Sequence, residues 1–490
     1  MVVDYDKLIF DLSSEGKTGY MLPDSEFDTE NLSSYIPEEY LADKELDFPE
    51  ISEVDAIRHY TQLSMKNYGI DTGFYPLGSC TMKYNPKINE DVAAIDGFAN
   101  IHPYQPIDTV QGALELMYNV AQSLIEVAGM DYMTLQPAAG AHGEITGVML
   151  IKAYHESRGD YNRNKIIVPD SAHGTNPATA AMAGYQTIEI KSKPNGMVDI
   201  DLLKSIVGDD TAGLMLTNPN TLGIYDENIK AITDIIHEAG GLVYYDGANM
   251  NAVMGYSQPG RMGFDIFHYN VHKTFSTPHG GGGPGAGPVG VKDFLKEFLP
   301  TPVVSKKDDG SFYLNYDLKN SYGQMKGFYG HFGMLVRTYT YMLTLGSDGL
   351  KHASSMAVLN ANYLAQKLKG AYNLPLDRIY KHEFVLAGIK DDSHTITTLD
   401  VAKRILDKGF HAPTVYFPLI VPEAIMVEPT ETESKQTLDA FTEALLEIAE
   451  EAKEDPQILK DAPHNTPVRR PDETKAAKDL ILKYEGDLNA

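Results

Sequence analysis

The feature that most constrains the fold is an alternation of short apolar segments with amphipathic ones, which runs from about residue 108 to about residue 270. Helices are predicted where apolar residues recur every three or four positions, at 110–124, 144–157, from about 177, and at 229–239. Between them, short apolar runs predict strands at 133–135, 165–168, 187–190, 213–216, 242–245 and 266–269. Because parallel strands need crossover connections, this alternation predicts an α/β fold with a mostly parallel sheet covered on both faces.

The chain has 490 residues, which is enough for more than one domain. We expect an N-terminal arm or small helical subdomain at 1–70, a large domain at 71–330, a smaller α+β domain at 331–450 and a charged tail at 451–490. The first part is acidic and rich in turn signals, and the third has helical patterns at 336–345 and 353–368. Charge and prolines in the last part predict that it wraps the surface or is partly disordered.

Composition excludes several classes of partner. The formal net charge is −27, so the basic footprint of a nucleic-acid or anionic-membrane binder is missing. No apolar run reaches the roughly 18 residues that would span a bilayer. The single cysteine, Cys80, cannot form an internal disulfide, and the N-terminus carries acids where a signal peptide needs basic residues. We therefore expect a cytoplasmic protein.

Two side chains at predicted strand ends point to a cofactor. In a parallel sheet ligands bind at the carboxyl ends of the strands, where Asp246 follows one strand and Lys273 follows the next. Pyridoxal phosphate needs a lysine amine to condense with its aldehyde and a carboxylate to keep its ring nitrogen protonated. The small Ala248 would let the ring lie flat. Read separately, the aspartate is also consistent with a turn and the lysine with a solvated surface group.

The segment 137–143 is predicted to bind the phosphate through Ala139, Gly140, Ala141 and His142. It lies between a strand and a helix expected to begin near Glu144, and a helix N-terminus attracts anions. An ordinary strand-to-helix turn is the alternative. The glycine-rich run 280–288 indicates a backbone that passes close to a ligand or bends sharply, and it lacks the Gly-Lys-Ser/Thr ending of a P-loop.

Further candidates follow other strands. His173 would stack on the ring opposite Ala248 or cap the next helix, and Asn218 would contact the cofactor edge or form a plain turn. His272, beside the lysine, is assigned to cofactor binding. No metal is expected at His268, His272 and His279, because this segment reads as strand and loop and no His-Glu-x-x-His sequence occurs.

Long motifs throughout the chain carry a family resemblance. They occupy 58–61, 75–86, 135–144, 171–177, 270–275, 328–330, 428–434 and 462–470. These segments resemble the P-protein of the glycine cleavage system, specifically its second subunit in the form that is split into two chains. The resemblance covers about residues 17–475.

This resemblance implies a fold-type-I enzyme with pyridoxal 5'-phosphate covalently bound to Lys273, and with Asp246 and His173 as further catalytic residues. It implies decarboxylation of glycine and transfer of the aminomethyl group to the lipoyl arm of the H-protein. It also implies a heterotetramer of two copies each with subunit 1, and functional partnership with the T- and L-proteins. Another lyase or transferase of this fold, or a non-catalytic scaffold subunit, is the alternative.

The resemblance leaves the group that binds the glycine carboxylate unassigned. The polar segment 78–86 either lines the site or anchors a subunit interface.

Overall fold

The computed structural model describes residues 5, 7–19, 23, 26, 31–44, 46, 48–279, 283–390 and 395–482. The chain divides into two compact units, residues 1–73 and 74–490. No helix in these described ranges combines the length and the apolar character needed to cross a bilayer.

The first unit contains short 3₁₀ turns at Ile9–Leu12, Leu32–Ser34 and Glu38–Tyr40, and one α-helix, α1 (Glu53–Met65). Ser52 caps α1 by accepting a hydrogen bond from the Asp55 backbone N–H. The Asp55 carboxylate accepts a hydrogen bond from the hydroxyl of Tyr5 at 2.8 Å. This unit is thus held by a capped helix and a few polar contacts.

The second unit is built on a seven-stranded sheet in the order β1-β7-β6-β5-β4-β2-β3. Five neighbouring strands, from β6 to β3, run parallel, and β7 runs antiparallel to both β1 and β6. The strands of the sheet are β1 (Tyr132–Thr134), β2 (Lys165–Pro169), β3 (Gln186–Ile190), β4 (Thr211–Leu216), β5 (Leu242–Gly247), β6 (Ile266–Tyr269) and β7 (Val289–Val291).

A two-stranded hairpin, β8 (Val303–Lys306) and β9 (Phe312–Asn315), follows the sheet, and β10 (Phe384–Ala387), β11 (Thr414–Val415) and β12 (Ala424–Val427) form a three-stranded antiparallel sheet. The helices of this unit are α2 (Lys87–Ala93), α3 (Asp96–Ala99), α4 (Gln111–Ala128), α5 (Gly140–Ser157), α6 (Thr175–Met182), α7 (Ile200–Ile206), α8 (Ile229–Glu238), α9 (Val271–Thr274), α10 (Phe332–Leu368), α11 (Thr398–Asp407), α12 (Lys435–Glu454), α13 (Pro456–Lys460) and α14 (Glu473–Lys478).

Alternate residues of the central strands divide between two hydrophobic cores. On β5, Val243 and Tyr245 pack in the core that contains α4 and α8, whereas Leu242 and Tyr244 pack in the core that contains α5 and α6. This is the period-two alternation of a sheet buried on both faces. Asp246, two residues after Tyr244, therefore faces α5.

A third core lies around the three-stranded sheet. It gathers the second half of α10, α11 and α12. Helix α10 is interrupted at Gly346, whose φ of 62° and ψ of −177° are not helical, and this position separates the two helical patterns predicted at 336–345 and 353–368.

The predicted α/β class is confirmed, and all six predicted strands are present with ends within two residues of the prediction. The prediction that the helix after β1 begins near Glu144 is wrong, because α5 begins at Gly140. The first turn of α5 is Gly-Ala-His-Gly, which carries no amphipathic signal, yet the Gly143 N–H already donates to the Ala139 carbonyl at 2.9 Å.

The bounds of the four predicted domains stay predictions. Helix α12 runs across the boundary expected at 450, and the described part of the expected tail contains α13 and α14. Part of the glycine-rich run, 280–282, lies outside the described residues.

The contact between α5 and the sheet yields a stability prediction. A β-carbon at Gly147 would collide with the buried ring of Tyr244 and lie 3.2 Å from Ile266 Cγ2. We expect Gly147→Ala to lower the free energy of unfolding by about 1–3 kcal/mol, because overpacking outweighs the better helix propensity of alanine. Urea unfolding followed by circular dichroism measures the change.

Gly112→Ala in α4 is the matched control, since a β-carbon there meets nothing within 4 Å. It should leave stability unchanged or raise it by up to about 1 kcal/mol. Equal midpoints for the two variants would contradict the packing argument.

Candidate active site

Asp246 is a buried carboxylate near the end of β5, with an exposed fraction of 3%. It accepts hydrogen bonds from the Asn176 side-chain amide at 2.9 Å and from the Ala248 backbone N–H at 3.0 Å. Burial opposes its ionisation, but these two hydrogen bonds hold the pKa of Asp246 below its usual value. The group is therefore a charged acceptor at neutral pH.

His268 lies beside Asp246 because the register of β5 and β6 pairs the two residues directly. Its Nε2 is 3.6 Å from Asp246 Oδ1, and its Nδ1 is hydrogen-bonded to the Tyr244 hydroxyl. Burial lowers the pKa of His268, so the imidazole is neutral. Because a neutral ring brings no counter-charge, we attribute the ionised state of Asp246 chiefly to Asn176 and Ala248.

Lys273 lies on α9, directly after β6, and lines the same cavity as Asp246. The cavity has a volume of about 240 Å³ and lies beyond the carboxyl ends of the parallel strands. The structure thus brings together the lysine and the aspartate that the sequence singled out. The other predicted residues that line this cavity are His173, Ala248, His272, Gly140 and Ala141.

Three predicted residues lie outside the cavity lining. Ala139 is the extended residue that precedes α5, and the His142 Nδ1 accepts a hydrogen bond from the Ala138 N–H at 3.1 Å. The Asn218 side chain bonds the backbone of Asp226, accepting from its N–H at 2.9 Å and donating to its carbonyl at 3.2 Å. Its neighbours Thr217 and Pro219 line the cavity instead.

The start of α5 makes very close contacts with the loops around it. A β-carbon at Gly140 would collide with the Asn270 side chain, and one at Gly287 would collide with the Ala139 carbonyl. Only glycine fits at these two positions without a shift of the neighbouring groups. The first-turn N–H groups of α5, which have no partner within the helix, therefore lie close to the segment that carries Lys273.

A second buried acid, Glu144, was missed as a site residue by the sequence reasoning. Thr175 donates its hydroxyl to Glu144 at 2.7 Å, and Asn176 donates its amide to Glu144 at 2.9 Å as well as to Asp246. His173 Nδ1 lies 3.0 Å from the Thr175 hydroxyl. Burial and the charge of Asp246 raise the pKa of Glu144 to about 7. Its position just inside the motif 135–144 was the available signal.

The segment 78–86 contributes to the cavity wall, which is one of the two roles that the sequence left open; the other, an anchor at a subunit interface, stays a prediction. Ser79 and Cys80 line the cavity. Thr81 and Lys83 are buried and bind acidic side chains, with Thr81 donating to Glu428 at 2.9 Å and Lys83 lying 2.6 Å from Glu431. The segment is therefore both a cavity wall and an anchor to the C-terminal sheet.

The residues around the cavity fit pyridoxal phosphate. Two buried polar atoms on residues that line the cavity, Asn270 Oδ1 and His272 Nδ1, lack hydrogen-bond partners among the described residues. Buried polar groups are normally partnered, so these atoms favour a polar ligand beside Lys273. A carboxylate suits a protonated ring nitrogen, and a helix N-terminus suits a phosphate.

Two family models match the chain. The model described as glycine cleavage system P-protein matches residues 22–318, and the model described as glycine dehydrogenase, C-terminal domain, matches residues 353–470. The chain is 65% identical over 485 residues to a protein of Alkaliphilus oremlandii named "Probable glycine dehydrogenase (decarboxylating) subunit 2", covering 99% of both chains.

Two solved structures show the same fold. A glycine decarboxylase (P-protein) of the glycine cleavage system, in inhibitor-bound form, superposes with a TM-score of 0.72 at 21% identity, covering 86% of this chain and 95% of that chain. A C-DES mutant with glycine covalently linked to its PLP cofactor has a TM-score of 0.59 at 14% identity and covers 76% and 96%. The predicted fold type I is confirmed. With a family model over most of its length and a relative that is 65% identical, the chain belongs to the glycine cleavage system P-protein family.

Proposed function

We propose that this chain decarboxylates glycine and transfers the aminomethyl group to the lipoyl arm of the H-protein, as the catalytic subunit 2 of a split P-protein. One observation carries the proposal: Asp246 and Lys273 line a single cavity at the strand ends of a fold-type-I sheet. The names of the P-protein relatives supply the substrate.

Four residues that line the cavity, Lys273, Asp246, His173 and Ala248, have proposed tasks toward the cofactor. Bound pyridoxal phosphate would supply a sink for the electron pair that remains when glycine loses carbon dioxide. Lys273 would hold the cofactor through Nζ and, as a free amine, would move protons. Asp246 would keep a proton on the ring nitrogen, and His173 and Ala248 would contact the ring.

The phosphate is assigned to the first turn of α5 and its surroundings. The N–H groups of Ala139, Gly140, Ala141 and His142 belong to the start of this helix, where the dipole favours an anion. His272 lines the cavity beside Lys273 and is assigned to the same cofactor. The Asn218 side chain is engaged with Asp226, so this position would contribute through the adjacent residues Thr217 and Pro219, which line the cavity.

The partners form part of the proposal. The designation "subunit 2" of the relatives supports assembly with subunit 1, as a heterotetramer of two copies each. The H-protein would present the lipoyl disulfide, and the T- and L-proteins would act on later steps. A cytoplasmic location is consistent with the single cysteine, which cannot form an internal disulfide.

The anchor of the cofactor is tested by absorption and chemical trapping. We expect the purified chain, with subunit 1 and pyridoxal phosphate, to show a visible band that borohydride removes, and peptide mass analysis to place the reduced group on Lys273. Lys273→Ala should lose both signals. Lys292→Ala, outside the cavity, should keep them. Absence of the band in the complete complex would contradict the catalytic assignment and favour a scaffold role.

The reaction is tested by exchange of labelled carbon dioxide into glycine in the presence of subunit 1 and the lipoylated H-protein. Exchange should require glycine and should disappear in Lys273→Ala. Full exchange by that variant would support the scaffold alternative. Exchange with another amino acid but not with glycine would support a different lyase or transferase of the same fold.

The role of Asp246 is tested by Asp246→Asn, which keeps the shape of the side chain and removes its charge. We expect exchange to fall by about 10²-fold or more, because a neutral amide does not hold a proton on the ring nitrogen. Trapping on Lys273 should persist. Asp209→Asn, at an exposed position, is the control. Unchanged exchange in Asp246→Asn would remove Asp246 from the mechanism.

A further inference from the structure

His382 and Glu383 form a buried pair on the cavity wall contributed by the C-terminal part of the chain. They immediately precede β10, and their exposed fractions are 2% and 4%. Both line the cavity that contains Lys273. The proposed cofactor contacts do not use either residue.

The imidazole of His382 has no hydrogen-bond partner among the described residues, at either ring nitrogen. The Glu383 carboxyl lies 3.7 Å from His382 Nε2, beyond hydrogen-bonding distance. A buried ring with two unsatisfied nitrogens is costly, and this cost is offset when a ligand provides a partner. The ring borders the cavity, so a ligand there is within reach.

Glu383 lies beside a second buried acid. It accepts one hydrogen bond, from the Ser79 backbone N–H at 2.9 Å, and a carboxylate oxygen of Glu428 is within 4.8 Å of the ligand atoms of the pair. Glu428 is better partnered, because it accepts from Thr81 and Asn249, each at 2.9 Å. Burial and the charge of Glu428 raise the pKa of Glu383 well above its usual value, so Glu383 is a neutral acid that can donate its proton.

An amino-acid substrate brings a carboxylate that needs donors in the cavity. No arginine is found among the described residues of the lining, and its one lysine, Lys273, is committed to the cofactor. The histidines of the lining are His173, His272, His279 and His382.

Three of these histidines lie on parts of the cavity wall other than the part that Ser79 and Glu383 form. His272 lies against Gly285, and its ring centroid is 5.4 Å from that of His279, which places both at the glycine-rich loop near α5. His173 contacts Thr175 and the Glu144 network. His382 is the histidine on the wall that Ser79 and Glu383 form.

We propose that His382 and Glu383 receive the carboxylate of the amino-acid substrate. This inference rests on the proposed glycine decarboxylation. Each residue would donate one hydrogen bond from a neutral group. In a decarboxylation the negative charge leaves the carboxylate, so an ion pair with arginine would stabilise the bound substrate more than the transition state. Two neutral donors would orient the carboxylate, and they would oppose the loss of carbon dioxide less than an arginine would.

The test compares glycine with methylamine, which has the same amine and no carboxylate. The complex with subunit 1 and pyridoxal phosphate is titrated with each compound, and the shift of the cofactor absorption band gives the two dissociation constants. We expect His382→Leu to weaken glycine binding by about tenfold or more, the cost of a lost hydrogen bond to a charged group. Methylamine binding should change by less than about twofold.

Three further variants refine the result. Glu383→Gln keeps a neutral donor, so it should bind glycine at least about fivefold more tightly than Glu383→Leu. His155→Leu is the matched control, because it removes a buried imidazole outside the cavity, and both dissociation constants should stay unchanged. If His382→Leu does not fold, the same titrations are made with His382→Asn, and Glu383→Gln is compared with Glu383→Leu.

Three outcomes would overturn the inference while leaving the proposed function intact. Unchanged glycine affinity in His382→Leu would exclude the carboxylate contact. Equal losses for glycine and methylamine would place His382 with the cofactor. Zinc bound at one equivalent by the purified complex, and lost in His382→Leu, would show that the three side chains hold a cation instead. Failure of the unsubstituted complex to bind glycine would contradict the proposed function itself.

Discussion

The burial of the Asp246 charge is the constraint on which the rest of the site depends. A buried carboxylate is costly unless donors surround it, and here Asn176 and the Ala248 N–H supply them. The β5–β6 register also fixes its neighbour, because it pairs Asp246 with His268. A slip of one residue would turn the carboxylate toward α4 and α8, away from the Asn176 amide.

The Asn176 amide links two acids whose pKa values are shifted in opposite directions. Its two donated hydrogen bonds go to Asp246 and to Glu144, and Thr175 extends the contacts from Glu144 toward His173. The pKa of Glu144 is raised to about 7 whereas that of Asp246 is lowered, so at neutral pH one acid stays charged while the other readily takes up a proton. The face of the cavity next to α5 is thus one connected polar network.

The opposite wall depends on contacts between distant parts of the second unit. The Gly78 N–H donates to the Met426 carbonyl at 3.2 Å, and a β-carbon at Gly78 would collide with the Met426 side chain. Thr81 reaches Glu428 beyond the end of β12. These contacts bring Ser79 and Cys80 to the same cavity as His382 and Glu383, which completes a site that the large sheet by itself leaves open.

The sequence by itself determined the α/β class, the six strands, and the placement of Asp246 and Lys273 at strand ends, because hydrophobic periodicity and strand-end position are local properties. Its long motifs also identified the family. Only the tertiary structure decided which side chains meet. The start of α5, the engagement of Asn218 with Asp226, and the positions of Glu144, His382 and Glu383 beside the cavity depend on packing and pairing between segments far apart in the chain. A single sequence carries no signal for such contacts, since a buried acid and a solvated one look alike until the fold brings their partners together.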